Sequence, residues 1–265
     1  MGTRGSLSLS LSPFAITVAS TGKNVLIIGT HGIGLSTAQL LIQDGATVIL
    51  TGRNTTKAAE LLGTTAHVLP LDLQNLSEIT ELPSKIQSHL GSADAKIDIL
   101  FLNAGFAALE PLATVTEESF DRTLNTNVKG TFFAAQTLAP LVRDGGAIVF
   151  TTSIANKLGI PGMGAYAASK AAIQSLVQTF AAELAGRKVR VNAVSPGYVK
   201  TATMGVVGAS EQELEEFEEH GKQTTPLGRV GEVEEVARTV RFLGFEGTFV
   251  TGTEVVVDGG LGFLR

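Results

Sequence analysis

Short runs that are apolar at almost every position alternate along the chain with longer stretches whose apolar residues recur at helical spacing. The runs are NVLIIG (24–29), ATVILT (46–51), AHVLP (66–70), IDILFLN (97–103), GAIVFTTS (146–153), VRVNAVS (189–195) and EVVVD (254–258). A strand with one face in water alternates apolar and polar residues; these mostly do not, so they read as strands covered on both faces. GLSTAQLLIQDG (34–45) has the period and length of a helix, with Gly45 suited to the position just past its last turn. Alternating β and α segments predict an α/β fold, a doubly wound parallel sheet of about seven strands with helices on both faces.

Residues 202–231 break the alternation. They carry an acidic helical stretch bracketed by glycines at 205, 208, 221, 228 and 231, with no apolar strand inside. Such a segment reads as an excursion over the sheet, either a solvated surface helix or a substrate lid, with Met204, Val206, Val207, Leu214 and Phe217 to offer an apolar ligand. The first 22 residues, rich in Ser, Thr and Gly and without acids, read as a disordered leader, and residues 23–265 as a single domain.

Composition narrows the chemistry. The formal charge of −5 and the absence of a long basic run argue against nucleic acid or an anionic membrane as partner. Without cysteine there are no disulfides or thiolate metal sites, and the four isolated histidines suggest no metal site. No secretory signal is legible, so a cytoplasmic location is expected.

IIGTHGIG (27–34) joins the first strand to the first helix. Gly29, Gly32 and Gly34 let the backbone turn tightly and approach a pyrophosphate on the exposed N–H groups of the helix start. NAG (103–105) follows the fourth strand, NTNVKG (125–130) lies further on, and Ser153 closes the fifth strand candidate. Tyr166 follows thirteen residues after Ser153, Lys170 four beyond it, and SPGYVKT (195–201) and FVTGTEVVVDGG (249–260) come later. In this order the motifs resemble the short-chain dehydrogenase/reductase family, the 3-oxoacyl-acyl-carrier-protein reductases among them. The family's T-G-x-x-x-G-x-G loop is one residue longer between its first two glycines; aligned without a gap, Ile28 stands where the first glycine would.

The resemblance implies a Rossmann-like fold and an oxidoreductase that transfers a hydride between a nicotinamide cofactor and a carbonyl or secondary alcohol. It implies a catalytic set of Asn127, Ser153, Tyr166 and Lys170. It places the cofactor against Gly29, His31, Gly32, Ile33, Gly34, Arg53, Asp72, Leu73, Asn103, Ala104, Gly105, Pro196, Gly197, Val199 and Thr201, with Tyr166 and Lys170 also touching it. Residues four apart on a helix share a face, so Tyr166 and Lys170 can work together. Lys170 would lower the phenol's pKa, Ser153 would hydrogen-bond the substrate oxygen, and Asn127 would hold a water in a proton relay. A homo-oligomer, tetramer or dimer, is the family expectation.

NADP(H) is expected over NAD(H). No acid stands between Gly45 and Lys57 to accept from a free ribose 2′-hydroxyl, whereas Arg53 offers a fork for a 2′-phosphate and His31 adds charge when protonated. The alternatives are an NAD-dependent alcohol dehydrogenase of the same fold and a non-catalytic dinucleotide sensor.

Overall fold

Seven strands form one parallel sheet, in the order β3-β2-β1-β4-β5-β6-β9. The computed structural model describes residues 20–202 and 210–264; most of the leader, and Met204, Gly205, Val206, Val207 and Gly208, lie outside the described residues. The first half runs β1 (Asn24–Ile28), α1 (Gly32–Gln43), β2 (Thr47–Gly52), α2 (Thr56–Leu62), β3 (Ala66–Pro70), α3 (Leu76–His89) and β4 (Ile97–Leu102). Then come α4 (Glu117–Leu124), α5 (Thr131–Leu138), β5 (Val142–Thr151), α6 (Gly164–Leu184) and β6 (Arg190–Pro196). The chain closes with β7 (Val199–Lys200), α7 (Glu211–Thr224), β8 (Gly231–Glu232), α8 (Val233–Arg241) and β9 (Glu254–Val257).

The apolar runs have the physical role their pattern implies. Leu26, Ile28, Leu100, Leu102, Ile148 and Phe150 face a core completed by α3, α5 and α6. Their neighbours Val25, Ile27, Ile99, Phe101, Ala147 and Val149 face the opposite core, completed by α1, α2 and α8. Successive residues of a strand point to opposite faces, so a strand buried on both needs apolar residues throughout.

Two boundaries differ from the reading of the sequence. β5 starts at Val142 because Val142 pairs with Ile97 and Ala147 with Ile99, leaving Arg143–Gly146 as a bulge that absorbs polar residues into a strand. It also ends at Thr151, so Ser153 stands beyond the strand as the N-cap of a short 3₁₀ turn, Ile154–Asn156. The excursion after β6 is pinned at both ends, where Val199 pairs with Gly231 and Lys200 with Glu232. Its helix α7 opens with a capping box between Ser210 and Glu213.

Between α4 and α5 the helix widens into a π-helical turn, Asn125–Gly130. At its end the backbone passes so close to the β3–α3 loop that a Cβ on Gly130 would stand 2.2 Å from the Leu73 carbonyl oxygen. Backbone cannot yield there as a side chain would. Gly130→Ala is therefore expected to destabilise the fold by about 1–3 kcal/mol. Gly186→Ala, where an added Cβ meets nothing within 4 Å, should be neutral or stabilising by up to about 1 kcal/mol. Urea midpoints of the two variants check the pair, and equal shifts would contradict the close-approach argument.

Candidate active site

In a parallel sheet every strand ends at the same edge, and here that edge collects the chemistry. Gly29 to Gly34 follow β1, Arg53 follows β2, Asp72 and Leu73 follow β3, and Asn103 to Gly105 follow β4. Ser153 follows β5, Gly197 follows β6 and Thr201 follows β7. The strand order reverses between β1 and β4, and the two loops there are stitched together by Asn103 N–H (3.0 Å) and Ala104 N–H (2.7 Å) donating to Ile28 O.

The glycine loop turns without a glycine at 28. Ile28 stays in β1 with its side chain in the core, and the turn starts at Gly29, whose φ is 132° and whose N–H donates to Thr51 O. A Cβ on Gly34 would fall 2.0 Å from the Gly29 carbonyl oxygen, so helix and loop close on each other only with glycine there. His31 is the N-cap of α1 but makes no side-chain cap bond, and the first turn holds no acid. An uncapped helix start at this edge suits an anionic pyrophosphate. The Thr30 hydroxyl donates to Asn54 O at 2.8 Å and so accepts from His31 Nδ1–H at 3.0 Å, which leaves His31 Nε2 as the ring's other polar atom. Arg53 is exposed, with no hydrogen bond or ion pair to another described residue. Asp72 accepts from Gln74 N–H, Leu73 is buried, and Ile33, Pro196, Gly197, Val199 and Thr201 line the cleft between loop and catalytic residues.

The four residues predicted to be catalytic are brought together. Tyr166 sits in the first turn of α6, with Lys170 one turn later and buried. Ser153 Oγ accepts from Ala155 N–H at 3.2 Å, so its own hydrogen is free to be donated. It lies close enough to the Tyr166 hydroxyl to favour the phenolate. Asn127, only 1% exposed, accepts from Phe106 N–H and donates to Phe106 O and to Ser169 Oγ, all within 2.9 Å. Ser169 in turn donates to Tyr166 O at 2.7 Å. The Asn127 amide hydrogens thus tie the β4 loop to α6.

One expectation is corrected. Lys170 was to lower the phenol's pKa, but burial pushes Tyr166 upward, and the nearby Ser153 hydroxyl pulls it down by less. Lys170 Nζ lies 5.6 Å from the ring centre and donates to Thr151 O at 2.8 Å. The same desolvation lowers its own pKa to about 8. Both charged forms are penalised, so the phenol is held as an acid.

That burial predicts a pH dependence of folding. Lys170 has a folded pKa of about 8 against 10.5 for the ordinary group. The unfolded chain therefore binds more protons between these values, and stability rises with pH in that window. Below pH 8 the buried ammonium costs on the order of 3 kcal/mol, and above 10.5 nothing. Denaturant unfolding of wild type and Lys170→Met, without cofactor, at pH values from 7 to 10 should show wild type gaining on the variant as pH rises. A constant difference would mean that Lys170 titrates alike in both states.

Several lining residues escaped the reading of the sequence. A cleft of about 130 Å³ beside Ser153 and Tyr166 is lined by Ala107, Ile154, Ile160, Met163, Tyr198 and Phe217. Only Phe217 stood out, as part of the excursion. Tyr198 carried a signal, being the chain's second tyrosine and lying inside the SPGYVKT motif. Its ring meets Phe217 edge-on at 4.8 Å, and Gly221 lets α7 settle on it. Among the described residues no helix is long and apolar enough to cross a membrane, and no three His, Asp or Glu side chains gather as metal ligands.

Comparison with known proteins agrees with this geometry. The family model described as Enoyl-(Acyl carrier protein) reductase matches residues 27–262. The chain is 37% identical to the 3-oxoacyl-[acyl-carrier-protein] reductase of Thermotoga maritima, over 91% of its own length and 98% of the relative's. It is 32% identical to a probable tetrahydroxynaphthalene reductase of Zymoseptoria tritici, over 95% and 98% of the two chains. A solved short-chain dehydrogenase/reductase from Serratia marcescens superposes with a TM-score of 0.82 at 29% identity, covering 92% of this chain and 99% of that one. With these relatives and the same sheet architecture, the chain belongs to the short-chain dehydrogenase/reductase family and is an oxidoreductase of the carbonyl–alcohol couple.

Proposed function

We propose that the protein is an NADPH-dependent reductase of an apolar, compact ketone, with Tyr166 as the acid and Ser153 as the oxyanion donor. The carrying observation is the polarity of Ser153: its Oγ accepts from Ala155 N–H, so its hydrogen is available beside the Tyr166 hydroxyl in the cleft. Bound nicotinamide supplies the hydride. The chain would supply the rest: α1 and the glycine loop would hold the pyrophosphate, Asn103, Ala104 and Gly105 the adenosine, and Lys170 the nicotinamide ribose. As charge develops on the substrate oxygen, Ser153 donates to it and Tyr166 transfers its proton. Asn127 holds the β4 loop against α6 and stands beside the route by which Lys170 returns a proton to Tyr166.

The substrate class follows from the lining. Ile154, Ile160, Met163, Tyr198 and Phe217 offer apolar and aromatic surface, as an apolar ketone requires. The reductase of Zymoseptoria tritici, by its name, acts on a hydroxylated naphthalene, and that of Thermotoga maritima on a 3-oxoacyl group carried by a protein. An acidic carrier protein would need a free basic rim. Of the candidates for such a rim, Arg229 is held by both oxygens of Glu235 at 2.8 Å, whereas Arg122 and Lys129 are exposed and have no ion pair among the described residues, so the preference for a free ketone rests on the apolar lining. We read α7 as a lid that completes the cleft with Phe217, and the exposed Leu227, Phe249, Phe263 and Leu264 as surface that a homo-oligomer, dimer or tetramer, would cover.

A panel of ethyl acetoacetate, 1-tetralone, an acetoacetyl thioester and a reducing sugar, each with NADPH, tests the class; 1-tetralone should lead. On the best panel substrate, Tyr166→Phe should lose at least about 100-fold in kcat, while NADPH binding by fluorescence stays within a few-fold of wild type. Retention of most of the wild-type rate would sink the acid assigned here.

Cofactor choice rests on Arg53, which is exposed and unpaired among the described residues where a ribose 2′-phosphate would arrive. An acid at position 52 is not a clean way to invert it, because a Cβ there would stand 2.9 Å from Thr30 Oγ1 and disturb the glycine loop. Arg53→Asp avoids that. Wild type should favour NADPH over NADH by at least about tenfold in kcat/KM, or ~1.4 kcal/mol, and Arg53→Asp should erase or reverse the preference. A wild type that prefers NADH would assign the chain to the NAD-dependent alternative.

A further inference from the structure

The last strand of the sheet puts a buried carboxylate behind the catalytic serine. Glu254, in β9, has a side chain only 4% exposed. Its Oε1 accepts from Thr152 Oγ1 at 2.5 Å and from Asn156 Nδ2 at 2.9 Å, and its Oε2 meets the Lys157 ammonium. Thr152 precedes Ser153, and Asn156 and Lys157 end the turn that Ser153 caps. Asn156 N–H donates to Ser153 O at 3.0 Å, and its side chain also donates to Gln174 in α6 at 3.1 Å. One carboxylate from a residue 102 positions away thus holds both ends of the turn that carries Ser153.

A buried carboxylate needs partners for its charge; here Oε1 takes both hydrogen bonds, from residues beside Ser153, and Oε2 has only the Lys157 ammonium. The Thr152 hydroxyl has one hydrogen and two acceptors in reach, Val194 O at 3.2 Å and the carboxylate. The shorter, charge-assisted bond takes it. The turn is therefore tied to β9 by side chains as well as to β6 by its backbone. Packing alone would not require an acid among the apolar neighbours of β9.

We propose that Glu254 is a positioning residue for Ser153, orienting its hydroxyl toward the substrate oxygen through Thr152, Asn156 and Lys157. The inference rests on the reading of Ser153 as an oxyanion donor. An oxyanion donor misplaced by a fraction of an ångström loses much of its effect on the transition state and little on binding. Glu254 should then act on kcat, and only while Ser153 is present.

A double-mutant cycle on the best panel ketone with NADPH tests this. Glu254→Ala is expected to lower kcat about tenfold to a hundredfold, with KM and NADPH affinity within about threefold of wild type. In a Ser153→Ala background the same change should lower kcat by less than about twofold, the coupling expected of groups acting as a unit. Urea midpoints should shift equally in both backgrounds, which separates positioning from loss of fold. If Glu254→Ala does not fold, Glu254→Gln and Lys157→Met enter the same cycle; Gln keeps the acceptor for Thr152 and should retain more kcat than a variant without it. Equal losses of kcat with and without Ser153, or no loss in the wild-type background, overturns the proposal. A Ser153→Ala variant as active as wild type would overturn the reading of Ser153 itself, and the role of Glu254 with it.

Discussion

A parallel sheet has to be buried on both faces, and that constraint organises the rest of the molecule. Each connection must cross a face to start the next strand in the same direction, so helices cover both faces and all strands end at one edge. α1, α2 and α8 cover one face and α3, α5 and α6 the other. The edge is left with loops and helix starts, of which that of α1 has no side-chain cap. Where the strand order reverses between β1 and β4, neighbouring connections diverge to opposite faces and leave a crevice. The crevice follows from the topology before any side chain is chosen.

Close approach of backbones then shapes the crevice. Gly34 lies against Gly29 O and Gly130 against Leu73 O, while Gly52 leaves room for the Thr30 side chain. Thr30 uses that room to join Asn54 O to the His31 ring. The glycine loop and the segment after β2 are thereby one hydrogen-bonded unit. A change meant for one will be felt by the other.

The chemistry inside the crevice depends on desolvation. Lys170 and Tyr166 lie on one face of α6, and burial works against the charged form of each. The protein alone presents a protonated phenol and an ammonium anchored on Thr151 O. The nearby polar groups are accounted for: Asn127 spends its amide on Phe106 and Ser169, and Ser153 accepts from Ala155. With so few free hydrogens, the geometry of the Ser153 hydroxyl matters more than the number of polar residues around it.

By itself the sequence determined the seven strands of the main sheet, through runs such as ILFL (99–102) whose unbroken apolarity fits a strand buried twice, and it singled out Ser153, Tyr166 and Lys170 as candidates through their spacing. These signals are local: strand burial is written in consecutive residues, and the helix puts positions 166 and 170 on one face. What the tertiary structure alone decided is of another kind. The bulge at Arg143–Gly146 depends on which residue of β4 faces which of β5, and register is a relation between segments. The direction of the Tyr166 pKa depends on how deeply α6 is covered. The meeting of Glu254 with Thr152, and of Tyr198 with Phe217, joins residues far apart in the chain. No spacing rule links such pairs, because their distance is set by how layers pack and not by how far the chain runs between them.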